Sequence, residues 1–252
     1  NYIWLHFKSK NFRSPICYNI VMNPQGKVVV ITGSTSGLGR SLAKIFVQAG
    51  AQVIVNGLKK SEVAKTAKEI SGFGIVADVS KEKDIVALAK KTLKKFGRID
   101  VWINNAGVWA AHAPVEKLDT KRLRKMIDVN LLGTIYCSKA ALIEMKKKGS
   151  GTIINILSTS ALTGRPGSSG YCASKYGAVG FTKSLALEVR NSNIKVLAIY
   201  PGGMQTHLFD EKKPTDIDTY MDPNFVAQKI LENFRKENPD EEIIIKNPEK
   251  VY

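Results

Sequence analysis

Cysteine and histidine are both scarce, three of each in 252 residues. Cys17, Cys137 and Cys172 show no paired spacing, and His6, His112 and His207 stand apart from them, so the expectation is free thiols and no metal. Long apolar runs are missing as well. No stretch approaches the roughly eighteen apolar residues of a membrane span, and the first twenty residues lack the compact apolar block of a secretory signal, so a cytoplasmic protein without a membrane span is expected. Acid is in short supply: 22 Asp and Glu against 38 Lys and Arg leave a net charge of +16. The excess falls mostly in segments with helical periodicity, such as Lys90, Lys91, Lys94 and Lys95, and no nucleic-acid motif or interleaved aromatics accompany it. Solvated helix faces explain these charges, and no nucleic acid is expected as partner.

From Gly26 onward the chain alternates short β-branched runs with longer amphipathic segments, the pattern of a parallel sheet covered on both faces. Strands are expected at 28–32, 52–56, 74–77, 99–104, 152–157, 195–200 and 242–245. Helices are expected at 38–49, 61–70, 81–96, 120–147, 174–190 and 223–236. The fold class is therefore α/β, a Rossmann-like doubly wound sheet of seven parallel strands in three layers, built as a single domain over residues 22–252. Residues 1–21 are aromatic and basic and precede Met22, which reads as a natural start; they are expected to be disordered or a start-site artefact. Residues 207–220 are polar and interrupted by proline, and are expected to form a substrate lid.

Two local patterns carry chemistry. Directly after the first strand comes Thr32-Gly33-Ser34-Thr35-Ser36-Gly37-Leu38-Gly39, followed at once by a helix. Glycines let the backbone approach a pyrophosphate, and the free N–H groups at a helix start attract it, so a phosphate-bearing cofactor is implied. Further on, Tyr171 and Lys175 lie four residues apart, on one face if helical, with Ser158 thirteen residues upstream of Tyr171 at the end of an apolar strand. A phenol titrates near about 10, and a neighbouring ammonium is expected to lower that value toward use as an acid.

With Asn104-Asn105-Ala106-Gly107 after the fourth strand, Asp78-Val79 after the third, and Pro201-Gly202 with Thr206 after the sixth, the chain resembles the short-chain dehydrogenases/reductases over residues 26 to about 245. The resemblance implies an NAD(P)-dependent oxidoreductase moving a hydride between nicotinamide and a carbonyl or secondary alcohol. It implies Tyr171 as general acid/base, Ser158 on the same oxygen, Lys175 holding the ribose hydroxyls, and Asn130 bending a helix and anchoring a water chain. Gly33, Ser36, Gly37, Leu38 and Gly39 would take the phosphates, Asp78 and Val79 the adenine, Asn105, Ala106 and Gly107 the ribose and nicotinamide side, and Thr206 beside Pro201 and Gly202 the carboxamide. The acid that NAD-preferring members carry after the second strand is replaced by Gly57, with Lys59, Lys60 and Arg40 nearby, so NADP(H) is favoured over NAD(H). Solvated lysines are the alternative for Lys59 and Lys60. Leu157 departs from the family, where a second serine is frequent before Ser158. Trp109, Leu162, Met204 and Phe209 would form an apolar substrate wall or ordinary packing. A homodimer or homotetramer through the two long helices is also implied. The alternative function is a non-catalytic nucleotide sensor or scaffold, from which the retained Tyr171 and Lys175 argue away.

Overall fold

Valine and isoleucine runs without polar interruption suit strands covered on both faces, and β1 (Val28–Ile31) is buried at every position. The computed structural model describes residues 23–248, so the segment 1–21 lies outside the described residues, with Cys17 and His6. The other strands are β2 (Gln52–Gly57), β3 (Phe73–Val76), β4 (Val101–Asn104), β5 (Gly151–Ile156), β6 (Ile194–Pro201) and β7 (Glu242–Ile245). All pair in parallel, in the order β3-β2-β1-β4-β5-β6-β7. The order reverses at β1, which bonds to both β2 and β4, so a crevice opens beyond the carboxyl ends of β1 and β4.

Two cores follow from the period of two along each strand. Val29 and Ile31 face Leu42 and Phe46 of α1 (Gly37–Gln48) and Val226, Ile230 and Phe234 of α7 (Pro223–Phe234). Val28, Val30 and Trp102 face the other way, onto Ile85 and Leu88 of α3 (Glu82–Phe96), Cys137 and Met145 of α5 (Gly133–Lys148), and Leu185 of α6 (Ser169–Val189). The remaining helix on the flank is α2 (Lys60–Ile70), packed on β2 and β3 through Val63 and Ala67. At the opposite end of the sheet from the crevice, Asp100 accepts a hydrogen bond from the Val28 N–H at 2.8 Å and takes ion pairs from Arg98 and Lys148. Burial pushes its carboxyl up, but Lys148, the Val28 N–H and Arg98 together outweigh that and hold it below the usual carboxylate range.

The expected helix over 120–147 is three pieces: α4 (Thr120–Met126), a π segment (Ile127–Leu132) and α5. The cause is Asn130, whose side chain turns away from its own helix to bond the backbone of Val108 in both directions, N–H to Oδ1 at 2.8 Å and Nδ2 to carbonyl at 2.9 Å. By length and composition Thr120–Lys148 is apolar enough to cross a membrane. Its apolar side belongs to the sheet, however: Cys137, Ala140, Ala141 and Met145 are buried in the second core while Lys139 and Lys146 to Lys148 lie outside. Helix α6 begins at Ser169 rather than 174, with the Ser168 carbonyl at its N-cap position accepting from the Cys172 N–H at 2.8 Å, despite the loop-like Gly-Ser composition.

Phe46 is fully buried and meets Phe234 edge to face at 5.5 Å between ring centroids. Phe46→Ala is expected to cost about 3–5 kcal/mol, the usual result of a large core truncation, read as a lower urea midpoint with an unchanged denaturant slope.

Candidate active site

The turn after β1 is held against the turn after β4 by one hydroxyl. Thr32 Oγ1 accepts from the N–H groups of both Asn105 and Ala106 at 3.0 Å, and Asn105 Nδ2 returns bonds to the carbonyls of Thr32 at 2.9 Å and Gly33 at 3.1 Å. This closeness dictates two glycines. Gly33 has φ +61, and a Cβ on it would meet the Ala106 Cα at 2.9 Å; one on Gly39 would meet the Gly33 carbonyl oxygen at 2.2 Å. Helix α1 then starts at Gly37 with no side-chain cap from Ser36 and no acid in its first turn. Its first N–H groups, which have no partner within the helix, open onto the crevice and suit an anionic phosphate.

A cleft of about 1190 Å³ runs from this turn along the carboxyl edge of the sheet. Gly33, Ser36, Gly37, Leu38, Gly39, Lys59, Asp78, Val79, Asn105, Ala106, Gly107, Pro201, Gly202 and Thr206 all line it, as do Ser158, Tyr171 and Lys175. Asn130 does not. It is buried beneath the floor, where its amide also donates to Ser174 Oγ at 3.0 Å and so ties the π segment to α6. Gly107 lies between the two groups, its added Cβ placed 3.4 Å from Asn130 Oδ1 and 3.9 Å from Lys175 Nζ. Lys175 is itself buried and donates to the Ile156 carbonyl at the end of β5, at 3.0 Å. Ser158 follows two residues later, its hydroxyl accepting from the Ser160 N–H at 3.1 Å.

The electrostatics differ from the sequence-based expectation. Lys175 is not what sets the phenol here: burial dominates and pushes Tyr171 up to about 12, with the neighbouring Ser158 hydroxyl and the more distant Arg165 pulling down and Cys172 pushing up. Burial likewise lowers Lys175 to about 8, because its ammonium has lost water and gained only a carbonyl.

The cations read as favouring a 2'-phosphate are not equally placed. Lys59 lines the cleft but is paired with Glu62 at 2.9 Å, while Arg40 pairs with Glu69 and, like Lys60, lies off the cleft lining. At Gly57 a Cβ would come within 2.8 Å of Thr35 Cγ2, so an acidic side chain there would have to displace Thr35. Of the proposed apolar wall, Trp109, Met204 and Phe209 line the cleft, whereas Leu162 is exposed and borders a smaller adjoining pocket of about 290 Å³. Trp109 meets Phe209 edge to face at 5.3 Å, and Phe209 meets Tyr220 at 5.7 Å. The sequence places Tyr220 only at the end of the expected lid, not in the apolar wall, and gives Arg165 no role. Both sit in Gly-, Pro- or Asp-rich loops whose path periodicity does not give. His112 and His207 also line the cleft; His207 is bonded to Asp210 at 2.9 Å. Among the described residues no group of three His, Cys, Asp or Glu is placed to hold a metal.

A seven-stranded doubly wound sheet with a glycine-cradled helix start at its switch point defines a Rossmann-like nucleotide-binding fold. Residues 27–217 match the family model for short chain dehydrogenase, and the chain belongs to that family. It is 37% identical over 190 residues to an uncharacterized oxidoreductase of Thermotoga maritima, covering 73% of this chain and 74% of the relative. It is 35% identical over 224 residues to the 3-oxoacyl-(acyl-carrier-protein) reductase of the same organism, covering 83% and 91%. Among solved structures, an alcohol dehydrogenase from Thermococcus sibiricus complexed with 5-hydroxy-NADP superposes with TM-score 0.82 at 25% identity, covering 90% and 99%. A 3-ketoacyl-(acyl-carrier-protein) reductase from Brucella melitensis complexed with NADH gives 0.78 at 30% identity, covering 82% and 90%. The chain is an NAD(P)-dependent oxidoreductase.

The buried lysine gives a pH signature. Between about 8 and the ordinary 10.5 the unfolded chain binds a proton that folded Lys175 has lost, so stability contributed by this site rises with pH across that window. Tyr171 acts in the opposite sense at higher pH, since from its ordinary 10.0 up to about 12 the folded protein keeps a proton the unfolded chain releases. Lys175→Met is therefore expected to remove the rise, so that its stability advantage over the unaltered protein shrinks by up to about 1.4 kcal/mol per pH unit. Urea midpoints of both proteins between about pH 8 and about pH 9.5 measure this.

Proposed function

We propose that the protein reduces a carbonyl compound to a secondary alcohol with NADP(H) preferred over NAD(H), and that Tyr171 delivers the proton. The observation that carries this reading is the convergence of Ser158, Tyr171 and Lys175 at one part of a cleft whose other part is the uncapped start of α1. The dinucleotide, when bound, supplies the hydride. Gly33, Ser36, Gly37, Leu38 and Gly39 would hold its phosphates, Asp78 and Val79 its adenine, and Asn105 to Gly107, Pro201, Gly202 and Thr206 its nicotinamide half. A phenol held at about 12 is fully protonated at neutral pH and so carries a proton to give, while its release depends on positive charge brought beside the phenolate as it forms. Ser158 donates to the same oxygen. Lys175 adds positive charge beside the site as the phenolate forms, and Asn130 below Gly107 positions the lysine side of the path by which the proton is replaced.

Support for NADP(H) comes from Gly57, where a side chain has no room as the strand end stands, and from Lys59 at the cleft edge. Glu62 competes for that lysine. Exposed Ile143 on α5 and Tyr176 and Leu187 on α6 are in keeping with pairing of two chains through these helices, as a homodimer or as half of a homotetramer. A cytoplasmic setting accords with the buried free thiols of Cys137 and Cys172. Residues 207–220, with 3-10 turns at His207–Phe209 and Ile217–Thr219, serve as the lid over the substrate.

Tyr171→Phe is expected to lower kcat for NADPH-dependent carbonyl reduction by roughly 10²-fold or more, with cofactor affinity within about threefold of the unaltered protein. Steady-state kinetics together with fluorescence titration of NADPH checks both. Leu58 is exposed on the cleft edge next to Gly57, and Leu58→Arg is expected to tighten NADPH roughly fivefold while leaving NADH nearly unchanged, measured by the same titration.

A further inference from the structure

The mouth of the cleft carries charge that the protein does not neutralise. Lys121, Arg124 and Lys125 of α4, Arg165 of the loop before α6, and Lys212 and Lys213 of the lid all line the cleft and are exposed. None of the six forms an ion pair among the described residues, although ion pairs are frequent elsewhere in them. Most neighbouring carboxylates are engaged by other groups, Glu211 and Asp119 by Arg122, Asp210 by His207, Glu62 by Lys59 and Asp78 by Lys81, and the further acids of the lining, Asp128 and Asp216, leave the six cations in excess. The Arg122–Glu211 pair also ties α4 to the lid, so the cations of these two segments border one opening. Arg165, though exposed, is near enough to Tyr171 to favour its charged form.

Resting on the proposed carbonyl reduction, we propose that the substrate is an acyl thioester whose carrier bears phosphate: the acyl chain lies along the aromatic wall and the phosphates stay at the mouth among these six cations. Six unpaired cations on three separate segments exceed the need of a single carboxylate and match a multiply charged anion. The same phosphate charge is also found on small phosphorylated ketones. The apolar wall of Trp109, Met204, Phe209 and Tyr220 at the inner part of the cleft favours the acyl compound, since a polar ketone gains nothing from it. The cation cluster is distinct from the 2'-phosphate edge at Lys59, which is paired.

The test is calorimetric binding of 3-oxooctanoyl-coenzyme A to the full chain with NADP⁺ and NAD⁺ both saturating, so that the adenine site is filled, beside the uncharged 3-oxooctanoyl-N-acetylcysteamine thioester. At low salt the coenzyme A compound is expected to bind at least about tenfold more tightly, and the gap is expected to close toward about twofold near 0.5 M KCl. Charge reversal of α4 (Lys121→Glu, Arg124→Glu, Lys125→Glu) is expected to remove most of that gap, with circular dichroism and urea midpoint reporting an intact fold. A single Lys212→Glu lid variant, away from helical structure, is expected to narrow the gap in the same direction should the triple variant fail to fold. Dihydroxyacetone phosphate, compared with dihydroxyacetone, forms the second arm and is expected to bind more weakly than the thioester. Equal binding of charged and uncharged thioesters, a gap insensitive to salt, or tighter binding of the phosphorylated ketone overturns the proposal. Its failure is separable from that of the carbonyl-reductase reading. Hydride transfer without charge discrimination overturns only the substrate class, whereas salt-dependent binding without hydride transfer to any carbonyl overturns the reaction.

Discussion

The hydroxyl of Thr32, accepting two backbone N–H groups from the turn after β4, sets the spacing on which the cleft depends. Strands β1 and β4 are adjacent, but beyond their ends the chain leaves in opposite directions, and without this clasp the two turns would separate. With it, the first turn of α1 is brought against Asn105 and Ala106 so closely that glycine alone fits at Gly33 and Gly39. The binding crevice is thus a product of backbone packing, held by the Thr32 hydroxyl and by the Asn105 amide bonded to the Thr32 and Gly33 carbonyls.

The architecture was legible in the sequence because a parallel sheet writes its buried strands as uninterrupted β-branched runs, and all seven were found within a few residues of their ends. The cleft lining was legible for the same reason: strand ends locate the crevice, and the motifs sit on strand ends. What escaped was governed by contacts rather than by period. The π segment depends on Asn130 finding the Val108 backbone, which no local pattern encodes. The early start of α6 was hidden by glycine and serine, which read as loop. Arg165 and Tyr220 come from loops, and the engagement of Arg40 with Glu69 required knowing that α1 and α2 are neighbours.

Titration behaviour was the least legible. Spacing places Tyr171 and Lys175 side by side, and the simple expectation is that a cation stabilises a phenolate. Burial acts on both groups first, raising one and lowering the other, and so brings their proton affinities apart from the usual order for solvated side chains by different amounts. The neutral phenol and the neutral amine are the uncharged states, and burial shifts both groups toward them, although a lysine at about 8 still carries its proton at neutral pH.

The widened turn at Ile127–Leu132 has a further effect. Because it inserts a change of phase between α4 and α5, the residues of α4 need not follow the face that α5 lays on the sheet. One continuous helix would couple the two, since the residue spacing that packs Cys137, Ala141 and Met145 would extend upstream and assign a fixed side to Lys121, Arg124 and Lys125. The break separates the two: the face of α4 is set by its own contacts, among them Leu123 and Met126 beside Gly170 of α6, so Lys121, Arg124 and Lys125 can change without disturbing how Cys137, Ala141 and Met145 lie on the sheet.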